Sequence, residues 1–343
     1  MTKRAVVIFP GRGTYGRNEL GYLATHHRDK QDFLAEIDDW RAQNKRTPIS
    51  DIDSAESYSA GRHASSLNAS SLIYACALSD FADIDLSKFE IVAICGNSLG
   101  WYLSLAAGGA LAPANAIRLV DTMGALMETD GVGGQMVYPT SDEQWRPDVN
   151  RANLVNRALD AGARAGAAHL SINLGGTAVL AGDDAGLDAM EKSLPSADER
   201  YPFRLARHAA FHTPLLEHVS KLAFENLPGC LFDRPQVPVI DGRGVIWNPL
   251  SSDVDALYQY TLGAQIFQTY DFSKSVEVAL KEFAPEILIL PGPGSTLGAP
   301  IGQCLVAHRW WGIQSKDQFV KRQKDDPVLL AMGRPDQRSI VVD

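Results

Sequence analysis

The sequence predicts an α/β chain: a mostly parallel sheet covered by helices, interrupted by a small insert with a different element order. Three observations predict it. Short, continuous apolar runs at 5–9, 91–95, 237–240 and 287–290 alternate with longer amphipathic stretches. A strand buried on both faces carries such a run, because helices cover both sides of a parallel sheet. The run at 91–95 passes through the pentapeptide GNSLG straight into an apolar helical pattern, a strand–turn–helix succession. Between residues 133 and 205 the periodicity changes, and the order becomes strand, helix, strand, strand, helix, strand.

The first strand, 5–9, runs into PGRGTYG, where Gly11, Gly13 and Gly16 stand in G-x-G-x-x-G spacing. That spacing is the fingerprint of a dinucleotide-binding turn, in which glycines let the backbone approach a pyrophosphate at a helix start. It also calls for an acidic residue at a second strand end to hold a ribose, and none is clearly placed there. Helices follow at 68–81 and 103–127, rich in Ala, Leu and Met. In the insert, strand 136–139 leads to helix 150–163. Strands 169–173 and 177–181 then flank Gly175-Gly176, and helix 185–194 and strand 201–205 complete a ferredoxin-like pattern. The expected division is a core of 1–132 and 206–343 with a small domain at 133–205. After Lys316 the chain reads KDQFVKRQKDD, polar enough to fray or pack loosely.

At 343 residues, 45% apolar and 21% charged, the chain suits one large or two modest domains. A net charge of −9 argues against a nucleic-acid binder, which carries a basic stripe. Cys76, Cys95, Cys230 and Cys304 are scattered with no C-x-x-C pair; they read as buried free thiols in a reducing compartment. The five apolar residues before Pro10 fall short of a signal peptide's roughly 7–15. No stretch approaches the roughly 20 of a membrane span. A cytoplasmic protein is expected, without metal, cofactor or membrane.

Gly96-Asn97-Ser98-Leu99-Gly100 is G-x-S-x-G in the strand–turn–helix context that a nucleophile elbow requires. The turn strains Ser98 and leaves no room for side chains at 96 and 100. Ser98 Oγ then stands at a helix N-terminus, with the Leu99 N–H aimed at the oxyanion of an attacked carbonyl. The alternative is a chance glycine-rich turn. A serine nucleophile needs a base, and eight histidines are available. His26 and His27 sit in a polar stretch and read as solvated; His63, His169, His218 and His308 read as surface or satisfied core positions. His208 and His212 stand in RHAAFHTPLLEH, where Thr213-Pro214 ends a loop and starts a helix. Spacing places His212 well for the serine but leaves its role open.

Motifs in order along nearly the whole chain carry a resemblance. IFPGRGTYG, GNSLGWYLSLAAGGALAPANAIRLV, GGQMVYP, INLGGTAVLAG, AAFHTPLLEHVSKLA, QIFQTYDFSKSV and LILPGPGSTLGAPI together resemble the malonyl-CoA:acyl carrier protein transacylases and the acyltransferase domains of polyketide synthases. The resemblance implies an α/β-hydrolase-like core with the ferredoxin-like insert and an active site in the cleft between them. It implies Ser98 as nucleophile, His212 as general base, and Gln265 offering its carbonyl to the imidazole N–H, in place of the hydrolases' carboxylate. It implies that the glycine loop with Arg12 lines the acyl site and completes the oxyanion hole with Leu99, which displaces the dinucleotide reading. The implied substrate is an acyl-CoA, and the implied partner is the phosphopantetheine of an acyl carrier protein. A monomer is the implied form.

The sequence departs from that family's pattern at several positions. Met123 stands where the malonyl-binding arginine is expected, and a methionine cannot hold a carboxylate bidentately. Arg12 replaces the loop glutamine; it would stabilise the oxyanion, face a substrate carboxylate, or pair with a nearby Asp. Asn97 replaces the histidine before the nucleophile, Trp101 the following glutamate, and Ala69 a glutamine. Phe211 keeps that family's pattern, which implies a small acyl pocket. With Met123, Asn97 and Asn173, it completes the candidate substrate-binding set. The missing arginine favours acetyl or another uncharged short acyl group. Transfer to a carrier protein, hydrolysis of a carrier-bound acyl group, and a catalytically weak scaffold share the same residues.

Overall fold

The computed structural model describes residues 2–342. Its strands are β1 (Lys3–Phe9), β2 (Phe89–Gly96), β3 (Gly134–Pro139), β4 (Ala168–Leu174), β5 (Thr177–Gly182) and β6 (Phe203–Leu205), followed by β7 (Val239–Ile240), β8 (Ile246–Trp247), β9 (Tyr270–Asp271), β10 (Ile287–Leu290) and β11 (Leu329–Ala331). Two sheets result. The larger has the order β11-β10-β1-β2-β7-β8 and is parallel except where β7 turns back into β8. Ala5 through Phe9 of its central strand are fully buried, as the apolar run requires of a strand covered on both faces. Phe9 pairs with Gly96 at the C-terminal edge, so the loops leaving β1 and β2 emerge side by side.

The smaller sheet has the order β6-β3-β5-β4-β9. Its first four strands make the ferredoxin-like arrangement, antiparallel throughout. β9 comes from outside the 133–205 segment and extends the edge in parallel with β4. Side chains alternate across the sheet with period two. Leu180 and Ala178 face a small cluster with Met136, Tyr138, Leu187 and Met190, whereas Val179 and Ile172 join the main core. That second face joins the small sheet to the main core.

The structure corrects four expectations. The stretch 103–127 is two helices, Leu99–Ala107 and Pro113–Thr129. The first ends at Gly108, Gly109 takes φ +75°, and Pro113, which has no N–H to give, opens the second. The charged tail does not fray. Helix Lys316–Asp325 buries Phe319, β11 pairs with β10, and helix Pro335–Val342 sends Arg338 to ion-pair with Asp80 and Asp83. His27 is fully buried, 2.8 Å from the buried Asp80, so it is not solvated. Cys76, Cys95 and Cys304 are buried free thiols, but Cys230 is exposed. Among the described residues no helix is long and apolar enough to cross a membrane.

Candidate active site

β2 ends at Gly96 and helix Leu99–Ala107 begins shortly after it, leaving Ser98 at φ 55°, ψ −108°. An L-residue with positive φ is strained, and the flanking glycines show why the turn is this tight. A Cβ on Gly96 would lie 2.3 Å from the Gly100 carbonyl oxygen, and one on Gly100 would lie 2.4 Å from that of Phe9. The helix packs directly over the strand ends and lifts the serine hydroxyl off the sheet. The Leu99 N–H belongs to the first turn, where no intrahelical acceptor exists.

His212 reaches this hydroxyl from the loop before helix Glu217–Asn226. Its Nε2 lies 2.8 Å from Ser98 Oγ, and its Nδ1–H donates to the main-chain carbonyl of Gln265 at 2.6 Å. With Nδ1 committed as donor, Nε2 is the lone-pair nitrogen facing the serine. Burial pushes the His212 pKa down to about 4, against a smaller upward pull from the Gln265 carbonyl, so the ring is neutral at pH 7. The Gln265 side chain works elsewhere. Its Oε1 accepts from Tyr102 Oη–H at 2.8 Å, and its Nε2 donates to the Ser98 carbonyl at 3.3 Å. One residue thereby ties His212, the Ser98 backbone and the pocket tyrosine together.

A small pocket opens beside Ser98. Val120, Met123, Met127 and Phe211 make its apolar wall, and Arg12, Ser66 and Ser70 its polar side. Met123 is buried here. Arg12 spans the polar side: Nη1 donates to Ser66 Oγ at 2.9 Å and Nη2 to the Ala64 carbonyl at 2.9 Å. Its guanidinium carbon lies 5.3 Å from the centre of the Phe211 ring. Burial lowers its pKa to about 10 despite the attraction of Glu128. The pairing with a nearby Asp, one of the expected alternatives, does not form: among the described residues Arg12 has no carboxylate at salt-bridge distance, and its buried Nε has no partner.

The glycine loop is not a phosphate cradle. The Gly16 N–H donates to Glu19 Oε2 at 2.8 Å, so the chain's own carboxylate stands where a bound anion would be needed. The loop leads into a short 3-10 turn, Arg17–Glu19, instead of a full helix. Two expected substrate contacts lie off the pocket lining. The Asn97 side chain packs under the loop, where a Cβ on Gly11 would come 2.9 Å from its Nδ2. Asn173, on β4, donates to Asp271 Oδ1 at 3.1 Å, which spends its amide on joining β4 to β9. Tyr102, Ser66 and Ser70 also line the pocket, outside the expected set of site residues. Tyr102 was within reach of sequence reasoning, since the i+4 position of a helix overlies its starting residue. Among the described residues no group of three or more His, Cys, Asp or Glu could hold a metal.

Comparison with known proteins finds the same fold in solved structures. No protein-family model matches the chain. A malonyl-CoA:acyl carrier protein transacylase from Xanthomonas oryzae superposes with a TM-score of 0.77 at 18% identity, covering 99% of this chain and 98% of that one. An acyl-carrier-protein S-malonyltransferase from Burkholderia pseudomallei gives 0.78 at 19% identity, covering 98% of each. The chain has the malonyl-CoA:acyl carrier protein transacylase fold. A type II polyketide malonyl-transacylase solved with its acyl carrier protein is also similar, with a TM-score of 0.74 at 20% identity over 88% of this chain and 93% of that one. In sequence, 212 residues (62% of the chain) are 27% identical to the polyketide synthase GfsB of Streptomyces halstedii, of whose length the match spans 4%.

Proposed function

We propose that the protein is an acyl-CoA:acyl carrier protein S-acyltransferase working through an acyl-Ser98 intermediate. The observation that carries this reading is the line from Ser98 Oγ through the neutral His212 imidazole to the Gln265 carbonyl, beside a small, largely apolar pocket. His212 Nε2 takes the Ser98 proton as Oγ attacks the thioester carbonyl of an acyl-CoA. The Leu99 N–H, with Arg12 on the facing loop, stabilises the oxyanion. Collapse breaks the C–S bond, and the CoA thiolate leaves with the proton held on Nε2 available to it. The carrier protein's phosphopantetheine thiol then gives its proton to Nε2 and attacks the acyl-serine ester, which returns the serine proton and completes a ping-pong cycle.

Met123 in the pocket wall suits a short uncharged acyl group such as acetyl. We take the cleft to lie between the core (1–132 and 206–343) and the small domain (133–205), and the working form to be a cytoplasmic monomer without cofactor. The test is to supply acetyl-CoA with a holo acyl carrier protein and follow both products. Acetylated carrier protein formed faster than free acetate supports transfer. Acetate with no carrier acylation contradicts it and assigns hydrolysis.

A further inference from the structure

A buried polar chain runs from the small sheet to the base, and the acyl-transfer chemistry makes no use of it. His208 Nδ1–H donates to Gln135 Oε1 at 2.7 Å, Gln135 Nε2 donates to Ser171 Oγ at 2.6 Å, and the Ser171 hydroxyl donates to the Phe211 carbonyl at 2.7 Å. Donor and acceptor match at each step, so the chain has one direction. Gln135 stands on β3 and Ser171 on β4, both buried.

Its end point is the peptide that controls His212. The Phe211 carbonyl accepts from Ser171, and the N–H of the same peptide, that of His212, donates to the Ile266 carbonyl at 3.0 Å. Each edge of the 211–212 peptide plane is therefore gripped, one by the small sheet and the other by the segment before β9. The orientation of that plane relative to the His212 side chain is the φ angle of His212, which is +57°. A left-handed conformation costs a non-glycine residue about 1–2 kcal/mol, so it persists only where the surroundings hold it. Rotation of this peptide toward ordinary φ carries the imidazole away from both Ser98 and the Gln265 carbonyl.

We infer that Ser171 and, behind it, Gln135 are positioning residues for the His212 base, through which the small sheet sets the geometry of the reacting pair. This rests on the reading of Ser98 and His212 as nucleophile and base. Mere satisfaction of buried polar groups predicts lost stability but unchanged chemistry in the molecules that stay folded.

The test compares the full-length wild type with Ser171→Ala, Ser171→Thr and Gln135→Met. It measures kcat and KM for Ser98 acylation per folded molecule, together with the NMR resonance of the His212 Nδ1 proton. Ser171→Ala is expected to lower kcat about ten- to hundredfold, as a misplaced catalytic group does, with KM within about twofold. Ser171→Thr, which keeps the hydroxyl, is expected to recover most of the rate, and Gln135→Met to fall between. A wild-type kcat in folded Ser171→Ala, or a loss confined to KM, overturns the inference. If wild type forms no acyl-enzyme, the proposed function fails separately and the resonance decides. A displaced His212 signal in Ser171→Ala supports positioning, and an unmoved one overturns it.

Discussion

Lowering the pH from 8 to 5 tests the state of the base directly. His212 is buried, and its pKa is pushed down to about 4, whereas an exposed histidine titrates near 6.5. The rate constant kcat/KM follows the free enzyme's ionisations. With a midpoint near 4, about nine-tenths of the molecules keep a neutral base at pH 5; with an ordinary midpoint, about 3% do. The two cases differ about thirtyfold at that pH. The assay is the initial release of CoA thiol from subsaturating acyl-CoA, measured from pH 4.5 to 8 on protein shown to remain folded. A flat profile to pH 5 is expected, and a midpoint near 6.5 refutes the reasoning. The sign for stability follows from the same linkage. The unfolded chain binds this proton below about 6.5 and the folded one only below about 4, so stability is intact above 6.5 and is lost as pH falls toward 4. The loss from this group is about 3 kcal/mol, and the partly buried His208, lowered to about 3, adds a loss of the same sign.

Met123→Arg should raise the ratio of malonyl to acetyl transfer measured in competition, because it adds a bidentate carboxylate partner to the pocket wall; an unchanged ratio would mean position 123 does not face the acyl group. Asp121 is fully buried and holds Arg41 at 2.6 Å, along with Arg46, Trp40 and Ser71. Asp121→Asn should cost about 3–5 kcal/mol in urea unfolding by leaving Arg41 without its counter-charge, and a loss under about 1 kcal/mol would contradict that. Gly100→Ala drives a methyl into the Phe9 carbonyl and should cost about 1–3 kcal/mol while displacing Ser98. Full stability together with full Ser98 labelling would show the elbow to be looser than its geometry indicates.

Much of the site was legible because its constraints are local. The elbow needs two glycines around a serine between a strand and a helix, all within one short segment, and the pattern has few other uses. Gln265 could be found only through resemblance: its service to His212 is a main-chain carbonyl, which any residue type could offer. The partners of Arg12 lie far along the chain, at Ala64 and Ser66, so the absence of a carboxylate partner could not be foreseen. The opposite error affected the charged stretches. His27 and the segment after Lys316 look solvated in sequence, yet His27, Asp80, Asp83 and Arg338 form one largely buried cluster. Polarity marks a residue as exposed only until tertiary structure brings its counter-charge. The break at Gly108–Ala112 was readable in Gly-Gly and Pro113, but continuous apolar composition on both sides masked it.

The central claim is that Ser98 carries the acyl group. Its most direct test is the intact mass of the protein after brief incubation with acetyl-, malonyl- or longer acyl-CoA, each alone, beside Ser98→Ala. An adduct of one acyl group on wild type, missing from Ser98→Ala, is the predicted result, with acetyl expected to outrank malonyl. An adduct that survives in Ser98→Ala, or none from any acyl-CoA, would contradict it.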